Sequence, residues 1–280
     1  MDAFAYCAAQ LRAHDRDRFL ADLFAPEASR RYLFALQAFD IEIARVRDVI
    51  SSPLPGEMRL QWWRDVLSGN SPGDAAGNPV AAALLETISL NRLPVAALER
   101  LLDARVFDLY DDPMPSLNDL EGYAGETSSA LLQCGAVALA GGSDPGSAEA
   151  AGHGGVALTV AGLIRALPIH ARRHQMYLPA DMIAEAGADP ADILAGRITP
   201  QVARLLEAMR ALARRHLVAA RRHLAAVDRV ALPAFLPLAL VEPWLQRMER
   251  PGFDPFRTPA ALAPWRSQWI LWRAARRGTI

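Results

Sequence analysis

The spacing of apolar residues restricts this chain to a helical fold. Large apolar side chains recur at steps of three and four along most of it. Between residues 23 and 49 the side chains at these steps are Tyr32, Leu36, Phe39, Ile43 and Val46. Residues at such steps share one face of an α-helix. No stretch alternates apolar and polar residues with the β-branched enrichment of a strand. The sequence therefore predicts an all-α protein of about nine to eleven helices.

Proline- and glycine-rich stretches mark the predicted ends of the helices. The clearest predicted loops are residues 51–56 and 69–79. The helices predicted around the breakers are 23–49, 58–67, 80–90, 94–110, one that starts at 116, a close-packed one around 154–162, a short one after 179, and then 199–228, 233–248 and 259–277. No repeat or shift in composition divides the chain. We therefore expect a single domain over residues 1–280, a helical bundle whose ligand sites lie between facing helices.

Composition excludes several classes of protein. Hydrophobic residues make up 52% of the chain, charged residues 22%, and the formal net charge is -1. Such a balance disfavours both disorder and general binding to nucleic acid. The two cysteines offer neither a metal-binding spacing nor a disulfide framework. The N-terminus lacks a basic-then-apolar signal, and no charge-free apolar window is long enough for a membrane span. These features favour a cytoplasmic protein.

Residues 163–179 read LIRALPIHARRHQMYLP and form the most unusual stretch. Its cationic candidates are Arg165, His170, Arg172 and Arg173. A cationic cluster is costly to bury without an anionic partner. Two interpretations remain open. The cluster lines a pocket that holds a phosphate or carboxylate directly, or it is a solvated helix end whose cations suit the negative end of the helix dipole.

Hydroxyl groups from Tyr123 and Thr127 are further candidates for a central cavity. The competing interpretation is that hydroxyls within a helix bond back to their own backbone carbonyls, which is the commoner arrangement.

The C-terminal segment, residues 257–280, is predicted to form a basic, tryptophan-rich helix. The chain has no acidic residue after Asp254. The candidates for membrane contact are Trp265, Trp269, Trp272, Arg273, Arg276 and Arg277. A basic helix with an aromatic face is typical of a lipid interface. Alternatively, the tryptophans close the bundle and the arginines only solvate it.

Three motifs in a fixed order resemble the squalene/phytoene synthase family over about residues 17–250. They are PEASRRYLFALQAF (26–39), RLQWWRDVL (59–67) and RRHQMYLP (172–179). The resemblance implies an isoprenoid synthase fold and head-to-head condensation of prenyl diphosphates. It also implies Mg²⁺ ions held by an Asp-x-x-x-Asp motif on each of two facing helices. The candidate pocket residues, by resemblance or by chemistry, are Arg30, Asp40, Ala44, Arg45, Asp48, Tyr123, Thr127, Arg165, His170, Arg172, Arg173 and Tyr177.

The acidic motifs that this resemblance implies are nearly absent. The first pair falls at Ala44 and Asp48, and the second falls at Ala166 and His170, so one of the four carboxylates remains. Magnesium requires hard carboxylate oxygens. We therefore expect no metal site and no cofactor, with Mg²⁺ only if the chain is an active transferase. Asp48 is expected to pair instead with Arg45 or Arg47.

Four further segments resemble a catalytically silent branch of the same family. They are FDIEIARVRD (39–48), YAGETSSALL (123–132), RALPIHARRHQMYLP (165–179) and PAFLPLALVEPWLQRMERPGFDPF (233–256). That branch contains a mitochondrial factor for assembly of respiratory NADH dehydrogenase (complex I). The resemblance implies a non-catalytic protein whose partners are complex I subunits or assembly intermediates. It also implies a prenyl or lipid ligand and a peripheral position on the inner membrane. The alternative is an active prenyl-diphosphate transferase.

Overall fold

The computed structural model describes residues 2–50, 52–70 and 72–280, and within these ranges the chain forms helices and no strands. The all-α prediction is confirmed. The α-helices are α1 (Ala3–His14), α2 (Arg16–Asp22), α3 (Glu27–Ala44), α4 (Pro53–Leu67), α5 (Pro72–Gly77), α6 (Pro79–Asn91), α7 (Val95–Arg105), α8 (Leu117–Ala124), α9 (Ala130–Leu139), α10 (Ala148–Arg172), α11 (Ala180–Ala186), α12 (Pro190–Leu194), α13 (Pro200–Leu224), α14 (Val241–Met248) and α15 (Pro264–Arg277).

Several predicted boundaries are wrong near prolines. The predicted loop 51–56 ends early because Pro53 starts α4, where the missing N–H of proline costs nothing in a first turn. The predicted loop 69–79 contains α5, which at six residues is too short to show a helical period. Ser51 and Ser71 lie outside the described residues. The predicted number of helices was too low in part because of α5 and in part because no helix was predicted where α1 and α2 lie.

Three long predicted helices also change character partway. The helix predicted over 94–110 is α7 followed by a 3₁₀ turn at Val106–Leu109. The helix predicted over 23–49 is α3 followed by a 3₁₀ turn at Val46–Val49. The helix predicted over 233–248 is a 3₁₀ stretch at Arg229–Leu240 followed by α14. Pro233 and Pro237 interrupt that stretch, since proline cannot donate an α-helical hydrogen bond. The last predicted helix begins at Pro264 and not at residue 259.

The core is organised around α10. This helix packs along α13 and also contacts α9 and a π-helical turn at Gly125–Ser129. Gly155 permits the closest approach: a Cβ atom there would lie 2.1 Å from Ser129 Oγ and 2.3 Å from Ser129 N. The absence of a side chain at residue 155 therefore fixes how near α10 comes to the π-helical turn.

Helix α10 is long and apolar enough to cross a membrane, by length and composition alone. Its position is that of a core helix, because more than half of its most apolar window is buried against other helices.

Candidate functional site

A cavity of about 600 Å³ lies between α3, α9, α10, the π-helical turn and the 3₁₀ stretch Arg229–Leu240. Slightly more than half of its wall is apolar. The large apolar residues that line it are Leu33, Leu36, Leu131, Leu132, Leu158, Leu163, Leu240, Trp244 and Leu262. A group of charged and polar side chains completes the wall, including Arg18, Asp40, Arg105 and Arg165. A cavity of this kind suits a ligand with a long apolar part and one polar group.

Asp40 is the centre of a buried ionic network in this wall. Arg18 Nη1 donates to Asp40 Oδ2 at 2.7 Å, and Arg105 Nη2 donates to Asp40 Oδ1 at 2.9 Å. Asp15 Oδ2 accepts from Arg18 Nε at 2.7 Å. Burial alone would raise the pKa of Asp40, but the two guanidinium groups outweigh it and lower that pKa. Both oxygens of this ionised carboxylate are thus bound by fixed cations.

Two tyrosines and Asp108 extend the network beyond Arg105. Arg105 Nη1 donates to Tyr123 Oη at 2.7 Å and to Asp108 Oδ2 at 3.1 Å. Tyr123 Oη and Tyr177 Oη each donate to Asp108 Oδ1 at 2.9 Å. Burial, followed by the charge of Asp108, raises the pKa of Tyr177, and burial also raises that of Tyr123. Both phenols therefore stay protonated and brace the network. We call Asp15, Arg18, Asp40, Arg105, Asp108, Tyr123 and Tyr177 the Asp40 network.

Asp48, the one carboxylate left in the predicted motifs, lies outside the cavity wall. Its Oδ1 is 2.7 Å from Arg173 Nη1, and its Oδ2 is 4.0 Å from Arg45 Nε. Arg47 binds Asp111 at 2.8 Å instead. Asp48 thus forms ion pairs with Arg45, one of its two predicted partners, and with Arg173, which follows the end of α10.

The cationic stretch does not form the predicted wall of positive charge. His170 lines the cavity, but burial and the nearby Arg173 lower its pKa to about 4, so its ring is neutral at pH 7. Arg172 and His174 are exposed, and Arg173 is engaged with Asp48. Arg165 is the member of this stretch that brings a positive charge to the cavity. Its guanidinium lies 4.0 Å from the centre of the Trp244 ring.

The candidate pocket residues therefore divide into two groups. Those in the cavity wall are Asp40, Tyr123, Thr127, Arg165 and His170. Those outside the wall are Arg30, Ala44, Arg45, Asp48, Arg172, Arg173 and Tyr177. The Thr127 hydroxyl donates to the Tyr123 carbonyl at 2.6 Å, so its proton is used in a hydrogen bond to the backbone four residues earlier. The sequence interpretation missed Arg18 and Arg105, which belong to helices distant from Asp40 in the chain.

The residues at the family's metal positions do not fit magnesium. Ala44 and Ala166 carry no ligand atoms, and His170 offers a nitrogen where a hard oxygen is required. Asp40, the nearest substitute, has both oxygens bound by Arg18 and Arg105. A divalent cation placed beside Asp40 would meet two buried positive charges. We therefore derive no metal-dependent step at this site.

The tryptophans of α15 do not close the bundle. Trp265, Trp269 and Trp272 are 70%, 55% and 39% exposed. The Trp269 and Trp272 rings stack with centroids 4.9 Å apart, and Arg276 lies 5.3 Å from the centre of the Trp272 ring. Arg273 and Arg277 are also exposed. The opposite face of α15 is anchored by buried Leu271 and Ala274. We call the exposed residues Trp265, Trp269, Trp272, Arg273, Arg276 and Arg277 the Trp–Arg face.

Known proteins resemble the chain in both sequence and structure. Proteins called "NADH dehydrogenase (ubiquinone) complex I, assembly factor 6" match from Rattus norvegicus (32% identity, 91% of this chain and 76% of the relative) and Homo sapiens (32%, 90% and 75%). A phytoene synthase from Arthrospira platensis is 22% identical over 100% of this chain and 94% of its own.

Solved structures agree on the fold. A dehydrosqualene synthase superposes with a TM-score of 0.84 at 16% identity, covering 98% of this chain and 96% of its own. A squalene synthase from Alicyclobacillus acidocaldarius gives 0.72 at 20% identity, covering 99% and 94%. The predicted isoprenoid synthase fold is confirmed. A family model described as squalene/phytoene synthase matches residues 11–273. The chain therefore belongs to the squalene/phytoene synthase family.

Proposed function

We propose that this protein supports assembly of respiratory NADH dehydrogenase (complex I) as a non-catalytic member of its family. The observation that carries the proposal is the arginine pairing of Asp40 and Asp48, the carboxylates at or near the family's first metal motif. Relatives that are 32% identical over 90–91% of this chain are named as complex I assembly factors. Its partners would be complex I subunits or assembly intermediates.

Charge explains why prenyl transfer is disfavoured. A prenyl diphosphate ionises only when the developing negative charge of its leaving group is stabilised. The family uses Mg²⁺ for this, but the chain has replaced the ligands of that ion. Arginines cannot simply take over, because Arg18 and Arg105 are already bound to Asp15, Asp40 and Asp108. The remaining arginines of the wall, Arg16 and Arg165, bring two single positive charges, which is less than a cluster of divalent ions would bring.

The cavity retains features that favour a prenyl or lipid ligand. Its apolar wall would hold a hydrocarbon tail. Arg165 lies in the cavity wall, where burial lowers its pKa and the charges of Asp17 and Asp15 partly offset that effect, so an anionic head group would stabilise its charge further.

The assembly function is tested in a strain that lacks this protein. We expect the strain to have reduced levels of assembled NADH dehydrogenase, and we expect wild-type protein and Asp48→Ala to restore them equally. Asp48 is the sole carboxylate in the motif positions, so a catalyst would need it. Native gels stained for NADH dehydrogenase activity give the measurement.

An assay in vitro separates the assembly role from the alternative of an active transferase. Purified protein with Mg²⁺ and farnesyl or geranylgeranyl diphosphate is expected to release no diphosphate above a protein-free control. Turnover that Asp48→Ala abolishes, together with failure of that variant in the deletion strain, would establish the transferase instead.

We also propose that the protein is cytoplasmic and binds peripherally to the inner membrane through the Trp–Arg face. Exposed tryptophan side chains favour the interface of a bilayer, and the adjacent arginines favour anionic lipid head groups. Leu271 and Ala274 hold α15 on the bundle, so the opposite face is free to meet lipid. An assembly factor for a membrane complex would meet its client at that surface.

Vesicle flotation tests this membrane proposal. Wild-type protein is expected to float with vesicles rich in anionic lipid and to float less with neutral ones. The triple change Trp265→Ala, Trp269→Ala and Trp272→Ala should weaken binding at least about tenfold, because it removes the apolar area that inserts. A matched control removes exposed apolar residues elsewhere, Leu54→Ala with Met58→Ala on α4. Equal flotation of the two variants would refute the Trp–Arg face as the contact.

A further inference from the structure

A second polar cluster joins α10 to α13 outside the cavity. Glu149 and His153 are four residues apart on one face of α10, and His216 and His223 are seven apart on one face of α13. Because the two helices pack along each other, these faces meet. One ligand atom from each of Glu149, His153 and His223 lies within 4.8 Å of the others. Three candidate ligands thus converge from two rigid helices.

A chain of hydrogen bonds determines which nitrogen of His153 is free. His216 Nε2 is 3.1 Å from Glu121 Oε1, and His216 Nδ1 is 3.1 Å from His153 Nδ1. The carboxylate of Glu121 can only accept, so His216 Nε2 must carry a proton. When His216 accepts at Nδ1, His153 donates from its own Nδ1, and that tautomer leaves a lone pair on His153 Nε2.

This arrangement is the one that metal-binding histidines show. A ligating imidazole usually donates its other ring N–H to a partner that fixes its tautomer and orientation. Here His216 is that partner for His153, and Glu121 in turn orients His216.

We propose that Glu149, His153 and His223 form a binding site for a divalent transition-metal ion, with Zn²⁺ as the best match. Two imidazoles and one carboxylate are a ligand set for Zn²⁺, whereas Mg²⁺ prefers oxygen ligands alone. Glu149 and His223 are exposed, so the ion would enter from solvent and keep a position for water or for a partner's side chain. His216 and Glu121 are positioning residues.

The bound ion would clamp the two central helices together. Helices α10 and α13 each contribute ligands, so separating them would require losing the ion. A ligand that binds only the folded state raises stability by mass action. For a chain of this length, free Zn²⁺ at a hundredfold excess over Kd should raise Tm by about 4–5 °C.

Calorimetric titration of untagged, chelator-treated full chain tests the site. We expect binding of one Zn²⁺ per chain and no comparable binding of Mg²⁺. Glu149→Ala and His223→Ala should each weaken Zn²⁺ binding at least about tenfold. Both side chains are exposed, so the Tm without metal should stay unchanged while the Zn²⁺-dependent rise in Tm is lost. His174→Asn, at an exposed histidine outside the cluster, is the control and should bind as wild type does.

The positioning role of Glu121 has a separate readout. Glu121→Ala should lower Zn²⁺ affinity by about 10–100-fold, and Glu121→Gln should recover most of it, since its amide oxygen still accepts from His216. The site is refuted if no Zn²⁺ binds, or if Glu149→Ala, His223→Ala and His174→Asn all bind Zn²⁺ as wild type does.

Discussion

Replacing Asp40 by alanine is expected to lower the free energy of unfolding by about 3–5 kcal/mol. The side chain is 8% exposed and pairs with both Arg18 and Arg105. Its removal would leave two buried guanidinium groups facing each other without an anion. Urea denaturation, followed by circular dichroism, measures the change.

The natural control for this result is Asp48→Ala. Asp48 is also paired with an arginine, but its side chain is 34% exposed and that of Arg173 is 41% exposed. Solvent screens such pairs, so the expected loss is only about 0–1 kcal/mol. Equal losses at the two positions would mean that the Asp40 network contributes no more than a surface ion pair.

The same network predicts a pH dependence with a definite sign. Asp40 has a folded-state pKa below its ordinary value of 3.8. The stability that it contributes is therefore fully present above about pH 4 and is lost as pH falls through the folded pKa. The difference in stability between wild type and Asp40→Asn should shrink as pH falls below 3.8. A difference that stays constant down to pH 2 or grows would contradict the lowered pKa.

Replacing Gly155 by valine is expected to cost about 3 kcal/mol or more in unfolding free energy. Even the first added carbon would lie 2.3 Å from Ser129 N, a backbone atom that cannot rotate away. Helix α10 would have to move off the π-helical turn, which also supplies part of the cavity wall. Thermal and urea unfolding measure the loss.

Gly152→Ala on the same helix should have the opposite sign. No atom lies within 4 Å of the position of an added Cβ at residue 152. Alanine is the better helix former by about 1 kcal/mol, so this variant should be slightly more stable than wild type. If both substitutions destabilise by similar amounts, the effect belongs to α10 generally and not to its contact with Ser129.

The sequence predicted helices well where packing and capping agree. The helix predicted over 199–228 is α13, Pro200–Leu224, whose N-cap Thr199 accepts a hydrogen bond from Val202 N. Several of the failures lie where a proline ends the α-helical hydrogen bonding or where a helix is too short to show a period. The 3₁₀ stretch Arg229–Leu240 carries apolar residues that suit a helix, yet its two prolines prevent α-helical hydrogen bonding there.

The site was less predictable because its contacts join distant parts of the chain. Asp40 could be singled out because it shares a helix face with the expected motif. Its partners Arg18 and Arg105 lie 22 and 65 residues away in sequence. His153 and His216 are likewise 63 residues apart. No local spacing encodes such pairs, and only the packing of the helices brings them together.

The family resemblance predicted the fold correctly, whereas the cationic stretch was a poor guide to the charges in the cavity wall. α10 continues through Pro168 and ends at Arg172, and His174 then adopts a φ of 56° that turns the chain. That geometry sends Arg172 and His174 to solvent and leaves Arg165 at the cavity. The run of cationic residues in the sequence did not indicate which side chains would face the cavity and which would face solvent.

Salt bridges within the Asp40 network join the start of α2, the C-terminal part of α3 and the end of α7 through the chain's own charges. The positive charge beside Asp40 therefore comes from the polypeptide itself, and this contact between three sequence-distant helices forms without a bound cation.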